Sequence, residues 1–323
     1  MSYSLHFVLF VLVVYNSGVR AAQAPLKLLN DGNKIPIIAL GTHGTSDDLA
    51  RVRQVIYWAI EVGYRHFDTA ESYGNEGAIG EAIAKTIKDG LVKREELFIT
   101  TKLWNNHHKR SSVIPALEHS LKRLGLNYVD LYLIHSPVAQ KDDNTFDDID
   151  YLETWQGMED AKKLGLTKSI GVSNFKMEQI NRLLNNSETK PAINQVEVNP
   201  TFTQEPLVSY CQSVGIEVMA YTPFGYMVSR DVENTPPPKF NDPDLIKIAK
   251  KYGKTTSQVV LRYLVDRGTI PIPKSTNKDR LIKNIDIFDF SLSKEEVDFI
   301  NKFNKDFRVV DIVEWRGSPY YPY

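Results

Sequence analysis

Residues Gly63–Leu103, GYRHFDTAESYGNEGAIGEAIAKTIKDGLVKREELFITTKL, hold the unit from which the fold is read. The apolar run Tyr64–Phe67 predicts a strand. Glu76–Lys88 then repeats its apolar residues at helical spacing, and Leu97–Thr101 predicts a second strand. A strand, a helix and a strand in that order imply parallel pairing through a crossover. The alternation continues in both directions. Strand signals also fall at Ile37–Leu40, Val129–Ile134, Ser169–Val172, Ile193–Val196, Glu217–Ala220 and Thr269–Ile272, and helical periodicity follows, as at Asp47–Val62 and Val113–Leu124. Eight strand signals without a composition break predict one closed (β/α)₈ barrel, a single domain over residues 25–323.

Ahead of the array, Leu26–Leu29 and Lys34–Pro36 flank the turn-forming Asn30-Asp31-Gly32-Asn33, which predicts a β-hairpin. Three segments exceed the minimal pattern. Val138–Asp150 follows the fourth strand and Gly225–Asn241 the seventh, so both leave the C-terminal ends of strands, where barrel enzymes place their sites. They are expected to cover substrate. The third is the tail, Lys305–Tyr323.

Residues 1–24 differ from the rest. Phe7–Tyr15 is apolar and uncharged, too short to span a membrane, and small residues follow up to Ala24. The pattern suits a signal peptide cleaved between about Ala21 and Pro25, so a secreted protein is expected, with the cytoplasm as alternative. Cys211 is the sole cysteine, so no intramolecular disulfide can form; a barrel of this size has core enough to fold without one. A formal net charge of −1 gives no field for nucleic acid. His107 and His108 are adjacent and no carboxylate cluster accompanies them, so no metal site is expected.

Polar residues gather where the strands end. Asp68 closes the second strand, Lys102 the third and His135 the fourth; Ser173 and Asn174 follow the fifth, Gln195 lies in the sixth, Tyr221 ends the seventh and Lys274 follows the eighth. Asp68 with Lys102 alone reads as a structural ion pair, but such residues converging on one barrel face predict a site. Tyr73 stands in the loop after Asp68. A lysine ammonium beside it would favour the phenolate and pull its pKa below the ordinary value of about 10. Trp104, just beyond Lys102, is expected to line the pocket, and Cys211 to pack in the core.

The segments GYRHFDTA (63–70), YGNE (73–76), TKLW (101–104), LIHSP (133–137), GVSNF (171–175) and IPKS (272–275) resemble the aldo-keto reductases, in order and at that family's spacing, from about Leu26 to the C-terminus. The resemblance implies reduction of aldehydes or ketones with NADPH by a monomer that needs no metal. Asp68, Tyr73, Lys102 and His135 match the catalytic tetrad, with Tyr73 as proton donor and His135 orienting the substrate. Thr42, Ser173, Asn174 and Gln195 match cofactor contacts, Tyr221 the ring on which nicotinamide stacks, and Thr222 and Phe224 the stretch over the pyrophosphate. Lys274, Ser275 and Arg280 match the surroundings of the 2′-phosphate, and Asn284 an adenine contact. Gly74, Gly77 and Gly80 do not make the glycine fingerprint of a Rossmann dehydrogenase.

Departures from the family pattern concern the pocket. His43 stands where many members carry tryptophan and Ser136 where some do, which implies more room, and Lys283 replaces a common acidic adenine contact. With export, this resembles insect enzymes that reduce 3-dehydroecdysteroids; general detoxification of carbonyl compounds is the alternative. A nucleotide-binding barrel without turnover is disfavoured because all four tetrad positions are filled. Reduction of a steroid carbon–carbon double bond is disfavoured because His135 stands where such members carry glutamate.

Overall fold

The computed structural model describes residues 24–229 and 232–323; the apolar run Phe7–Tyr15 lies outside the described residues. The hairpin is β1 (Leu26–Leu28) paired antiparallel with β2 (Lys34–Pro36). Eight further strands form one sheet in chain order: β3 (Leu40–Gly41), β4 (His66–Asp68), β5 (Phe98–Leu103), β6 (Val129–Ile134), β7 (Thr167–Ser173), β8 (Ile193–Glu197), β9 (Glu217–Tyr221) and β10 (Ile270–Pro271). Every neighbouring pair is parallel. The ends of the sheet also meet. Ala39 N–H donates to the Pro271 carbonyl at 3.1 Å and Gly41 N–H to that of Pro273 at 3.0 Å, so the sheet closes into the expected barrel.

Helices α1 (Leu49–Glu61), α2 (Glu76–Lys88), α3 (Arg110–Leu124), α4 (Tyr151–Lys163), α5 (Met177–Asn185) and α6 (Glu205–Ser213) each follow one strand. Two helices, α7 (Pro243–Tyr252) and α8 (Thr256–Asp266), share the connection from β9 to β10, and α9 (Lys278–Ile285) and α10 (Lys294–Asn301) follow β10. Their ends are written locally. Asp48 accepts the N–H of Arg51 to start α1, and reciprocal side-chain caps join Thr255 with Gln258 at α8 and Ser293 with Glu296 at α10. In α1 the buried residues Val52, Val55, Ile56, Ala59 and Ile60 recur at the spacing of a single face.

Alternation along the strands divides the core in two. In β6, Leu131 and Leu133 join Phe98, Ile193, Met219 and Ile270 inside the barrel. Tyr132 and Ile134 face outward, in the layer with Trp155 and Leu264. Leu29 and Ile35 of the hairpin belong to the inner core, and the Asn30 amide donates to the carbonyls of Pro191 and Gly215 at the starts of β8 and β9. The hairpin therefore seals the N-terminal end of the barrel and leaves the C-terminal end for chemistry. Inner space is tight at Gly171, where a Cβ would lie 2.6 Å from the Ile193 carbonyl oxygen and 2.8 Å from a Leu133 methyl. The last barrel strand is only two residues long; Pro271 within it and Pro273 just beyond it have no N–H to give a ladder. Among the described residues no helix is long and apolar enough to cross a membrane.

Candidate active site

Asp68 ends β4, and Lys102 lies in β5 two positions beyond the residue that faces Asp68 across the ladder, so both side chains enter the mouth of the barrel. Lys102 is fully buried. Its ammonium has three protons and three acceptors: Asp68 Oδ1 at 2.7 Å, the Thr69 carbonyl at 2.9 Å and Tyr73 Oη at 3.2 Å. The second Asp68 oxygen accepts from Gln195 Nε2 at 2.7 Å. A buried ion pair persists only when its remaining hydrogen-bonding capacity is met, as it is here.

Tyr73 is carried on the single 3₁₀ turn Glu71–Tyr73, and Gly74 at φ 66° turns the chain away behind it. Asn75 clamps that turn. Its Oδ1 accepts from Thr69 Oγ1 at 2.7 Å, and its amide donates to the Thr42 carbonyl at 2.8 Å and Thr45 Oγ1 at 3.0 Å. Thr42 in turn donates its hydroxyl to the Asp68 carbonyl at 3.0 Å. The His135 ring stands edge-on to Tyr73, centroids 5.6 Å apart, with His43 4.9 Å from Tyr73 and Trp104 5.0 Å from His135.

Electrostatics assign the protonation states. Burial pushes the Tyr73 phenol above its ordinary value; the Lys102 charge and hydrogen bond pull it down, and Asp68 adds to the rise. The net direction is upward, not the depression expected from the lysine alone, so Tyr73 is protonated at neutral pH. Burial works against the Lys102 ammonium, yet Asp68 and Tyr73 outweigh it and raise its pKa. Burial, then Lys102 and His43, hold the His135 imidazole well below its usual range, so it is neutral.

Beside this group lies a polar shelf. Ser173 Oγ donates to the Gln195 carbonyl at 2.8 Å, and Asn174, at φ 63°, donates its amide to the His135 carbonyl at 2.9 Å. The Tyr221 hydroxyl donates to Asn174 Oδ1 at 2.8 Å. Gln195 thus joins the shelf to Asp68. Thr222 takes φ 50°, and Phe224 packs on Phe240 with centroids 5.5 Å apart. Past the end of β10, Lys274 Nζ reaches the Gly44 carbonyl at 3.0 Å, and Ser275 is buried against Asn277. Asn277 caps α9, whose first turn carries the exposed Arg280 and whose body carries the buried Asn284. Arg280 makes no ion pair among the described residues. Amide donors and an aromatic ring near the tetrad, with cations at a helix N-terminus farther out, fit a dinucleotide carrying a phosphate at its far end.

The segment 138–150 is tied down by residues that sequence reasoning passed over. Asn105 accepts from Ser136 Oγ and donates to Gln140 Oε1, both at 2.8 Å. Ser136 is fully buried and its hydroxyl is committed to Asn105, so it does not present an open polar wall. The tail closes the mouth from the other side. Trp315 stands 6.4 Å from Trp104, and Glu197 receives the N–H groups of Val309 and Val310. Glu197 is two residues beyond Gln195 on the same strand, and period-two counting alone would have turned it inward.

The model of the Aldo/keto reductase family matches residues 38–305. The chain is 61% identical to the Bombyx mori aldo-keto reductase AKR2E4, over 94% of this chain and 99% of that one. It is 43% identical to the Mus musculus aldo-keto reductase family 1 member D1, over 91% and 95%. The crystal structure of AKR2E4 in complex with NADP matches with a TM-score of 0.92 at 60% identity, over 94% of this chain and 100% of that one. AKR2E5 of the same silkworm, solved with NADPH, gives 0.91 at 44% identity, over 94% of each. With the barrel closed and its C-terminal mouth holding the matched residues, the chain belongs to the aldo/keto reductase family.

Proposed function

We propose that this chain reduces aldehydes or ketones to alcohols with NADPH, acting as a monomer. The observation that carries the reading is the fully buried Lys102 ammonium shared between Asp68 and the Tyr73 hydroxyl. NADPH, when bound, supplies a hydride. Ser173, Asn174 and Gln195 would hold its carboxamide and Tyr221 would face its ring, with Thr222 and Phe224 along the pyrophosphate. Asn284 would meet the adenine, and Lys274, Ser275 and Arg280 the 2′-phosphate.

The substrate carbonyl oxygen would lie between Tyr73 Oη and the neutral His135 imidazole, which can donate one hydrogen bond without carrying charge. As the carbonyl carbon gains the hydride and its C–H bond forms, the oxygen takes the Tyr73 proton. The phenolate left behind is stabilised by Lys102 and recovers a proton from solvent. Burial keeps the phenol charged with its proton beforehand; Lys102 eases its departure.

The substrate class follows from the resemblance to insect 3-dehydroecdysteroid reductases, and the walls are compatible with it. His43, Trp104 and Trp315 offer flat aromatic surface around the tetrad, which suits a polycyclic ketone. We assign a 3-dehydroecdysteroid as the substrate class and export through residues 1–24 as the route to it.

Tyr73→Phe should lower carbonyl reduction by about 10²–10⁴-fold while NADPH binding persists, because only a hydroxyl is lost. Near-full turnover by this variant would remove Tyr73 from the mechanism. Arg280→Met keeps the stem but loses the fork that matches phosphate. It should cut kcat/KM with NADPH and leave NADH nearly unchanged; equal losses would make Arg280 a structural residue. 3-Dehydroecdysone should be turned over with a higher kcat/KM than small aldehydes. Reduction of the aldehydes alone would refute the steroid assignment and favour general detoxification. N-terminal sequencing of native protein should begin between about Ala21 and Pro25; an intact Met1 would refute export.

A further inference from the structure

Glu197 has no part in the chemistry above, yet it is fully buried at the mouth of the barrel. It ends β8 opposite Tyr221, two residues after the Gln195 that holds Asp68. Both carboxylate oxygens are spent on the tail: Oε1 accepts the Val309 N–H and Oε2 the Val310 N–H, each at 2.8 Å. Asn199 Nδ2 adds a bond to Oε1 at 3.0 Å. A carboxylate gripping two consecutive N–H groups fixes both the position and the direction of the backbone it holds. Glutamine could not do so, since one of its two head atoms is a donor.

The grip lies at a decisive point along the tail. Before it, the N–H groups of Lys305 and Phe307 reach the Thr201 carbonyl at 3.1 Å, and the Arg308 guanidinium lies over the rings of Phe202 and Tyr323 at 4.3 Å and 3.8 Å. After it, among the described residues, the tail's next hydrogen bond to the barrel comes only at Tyr320, whose carbonyl accepts from Gln179. Trp315 lies in the interval between, its ring 6.4 Å from that of Trp104, which packs on His135. Gly317 follows against Phe146 of the 138–150 segment. A shift of the chain at Val309 and Val310 would therefore move Trp315 and leave the tetrad in place.

We propose that Glu197 is a positioning residue for substrate selectivity: it fixes the tail at Val309 and Val310 and thereby holds Trp315 against the substrate. The inference rests on the reading that this mouth takes a bulky carbonyl compound.

The test compares wild type, Glu197→Gln and the chain ending at Arg308, alone and with Glu197→Gln. Readouts are kcat and KM for a small aldehyde and a polycyclic ketone, NADPH binding by fluorescence, and trypsin cleavage after Arg308. Glu197→Gln should raise KM for the ketone about tenfold, the scale of one lost charged hydrogen bond, with kcat, aldehyde KM and NADPH affinity within about twofold. Its tail should be cut by trypsin where the wild type resists. In the chain ending at Arg308 the same substitution should add nothing, because two residues acting through one contact are not additive. Unchanged selectivity with a resistant tail, or an equal further loss without the tail, would overturn the proposal. If Glu197→Gln fails to fold, Val310→Pro removes one N–H from the other side and must show the same selectivity loss and cleavage; a normal profile overturns it. A wild type that reduces no carbonyl compound would defeat the functional reading, while the cleavage result still decides the role of Glu197 in holding the tail.

Discussion

The mouth of this barrel is organised around one buried positive charge. Lys102 has no access to water, so its ammonium must find all its partners in protein, and it finds them in Asp68, Thr69 and Tyr73. A charge left unpaired in that position would cost several kcal/mol. This demand fixes the geometry of two adjacent strands and the turn after β4. It also brings Gln195 across the barrel to satisfy the other oxygen of Asp68. The interaction that makes the site affordable is thus the one that places the phenol.

The same charge separates the roles of the titrating groups. Burial favours the neutral forms of Tyr73 and His135, and Lys102 acts on them in opposite senses. It depresses the histidine further, so the imidazole is uncharged, and it pulls the Tyr73 phenol down against the burial that raises it. Around this centre the cover is made of three pieces held by polar and aromatic contacts. Asn105 ties the 138–150 segment, Tyr226 of the turn after β9 packs on Phe307, and Glu197 holds the tail. Loops so anchored act as walls of a rigid scaffold.

The barrel was legible because its signals are local. Short continuous apolar runs alternate with helical segments, and the polar residues at strand ends mark the mouth. The shortened β10 departs from its run where proline withholds a donor. The strand-end positions of Asp68, Lys102 and His135 were legible, and the resemblance added Tyr73 to them, but the upward shift of Tyr73 was not, since it depends on how completely the barrel excludes water. Nor could the contacts that position the site. Asn75 with Thr42, Asn105 with Ser136, and Glu197 with Val309 join residues 33, 31 and 112 positions apart. Ser136 shows the consequence: a small residue suggested open space, and the fold used its hydroxyl to hold Asn105.

The central claim is that Lys102 lowers the cost of Tyr73 phenolate against a burial that raises it. Titration of ¹³C-labelled tyrosine by NMR, with the Tyr73 signal assigned by its loss in Tyr73→Phe, measures this directly in wild type and Lys102→Met. In wild type Tyr73 should titrate above the ordinary tyrosine value of about 10, and in Lys102→Met higher still. An unchanged or lower value after removal of the ammonium would contradict the account.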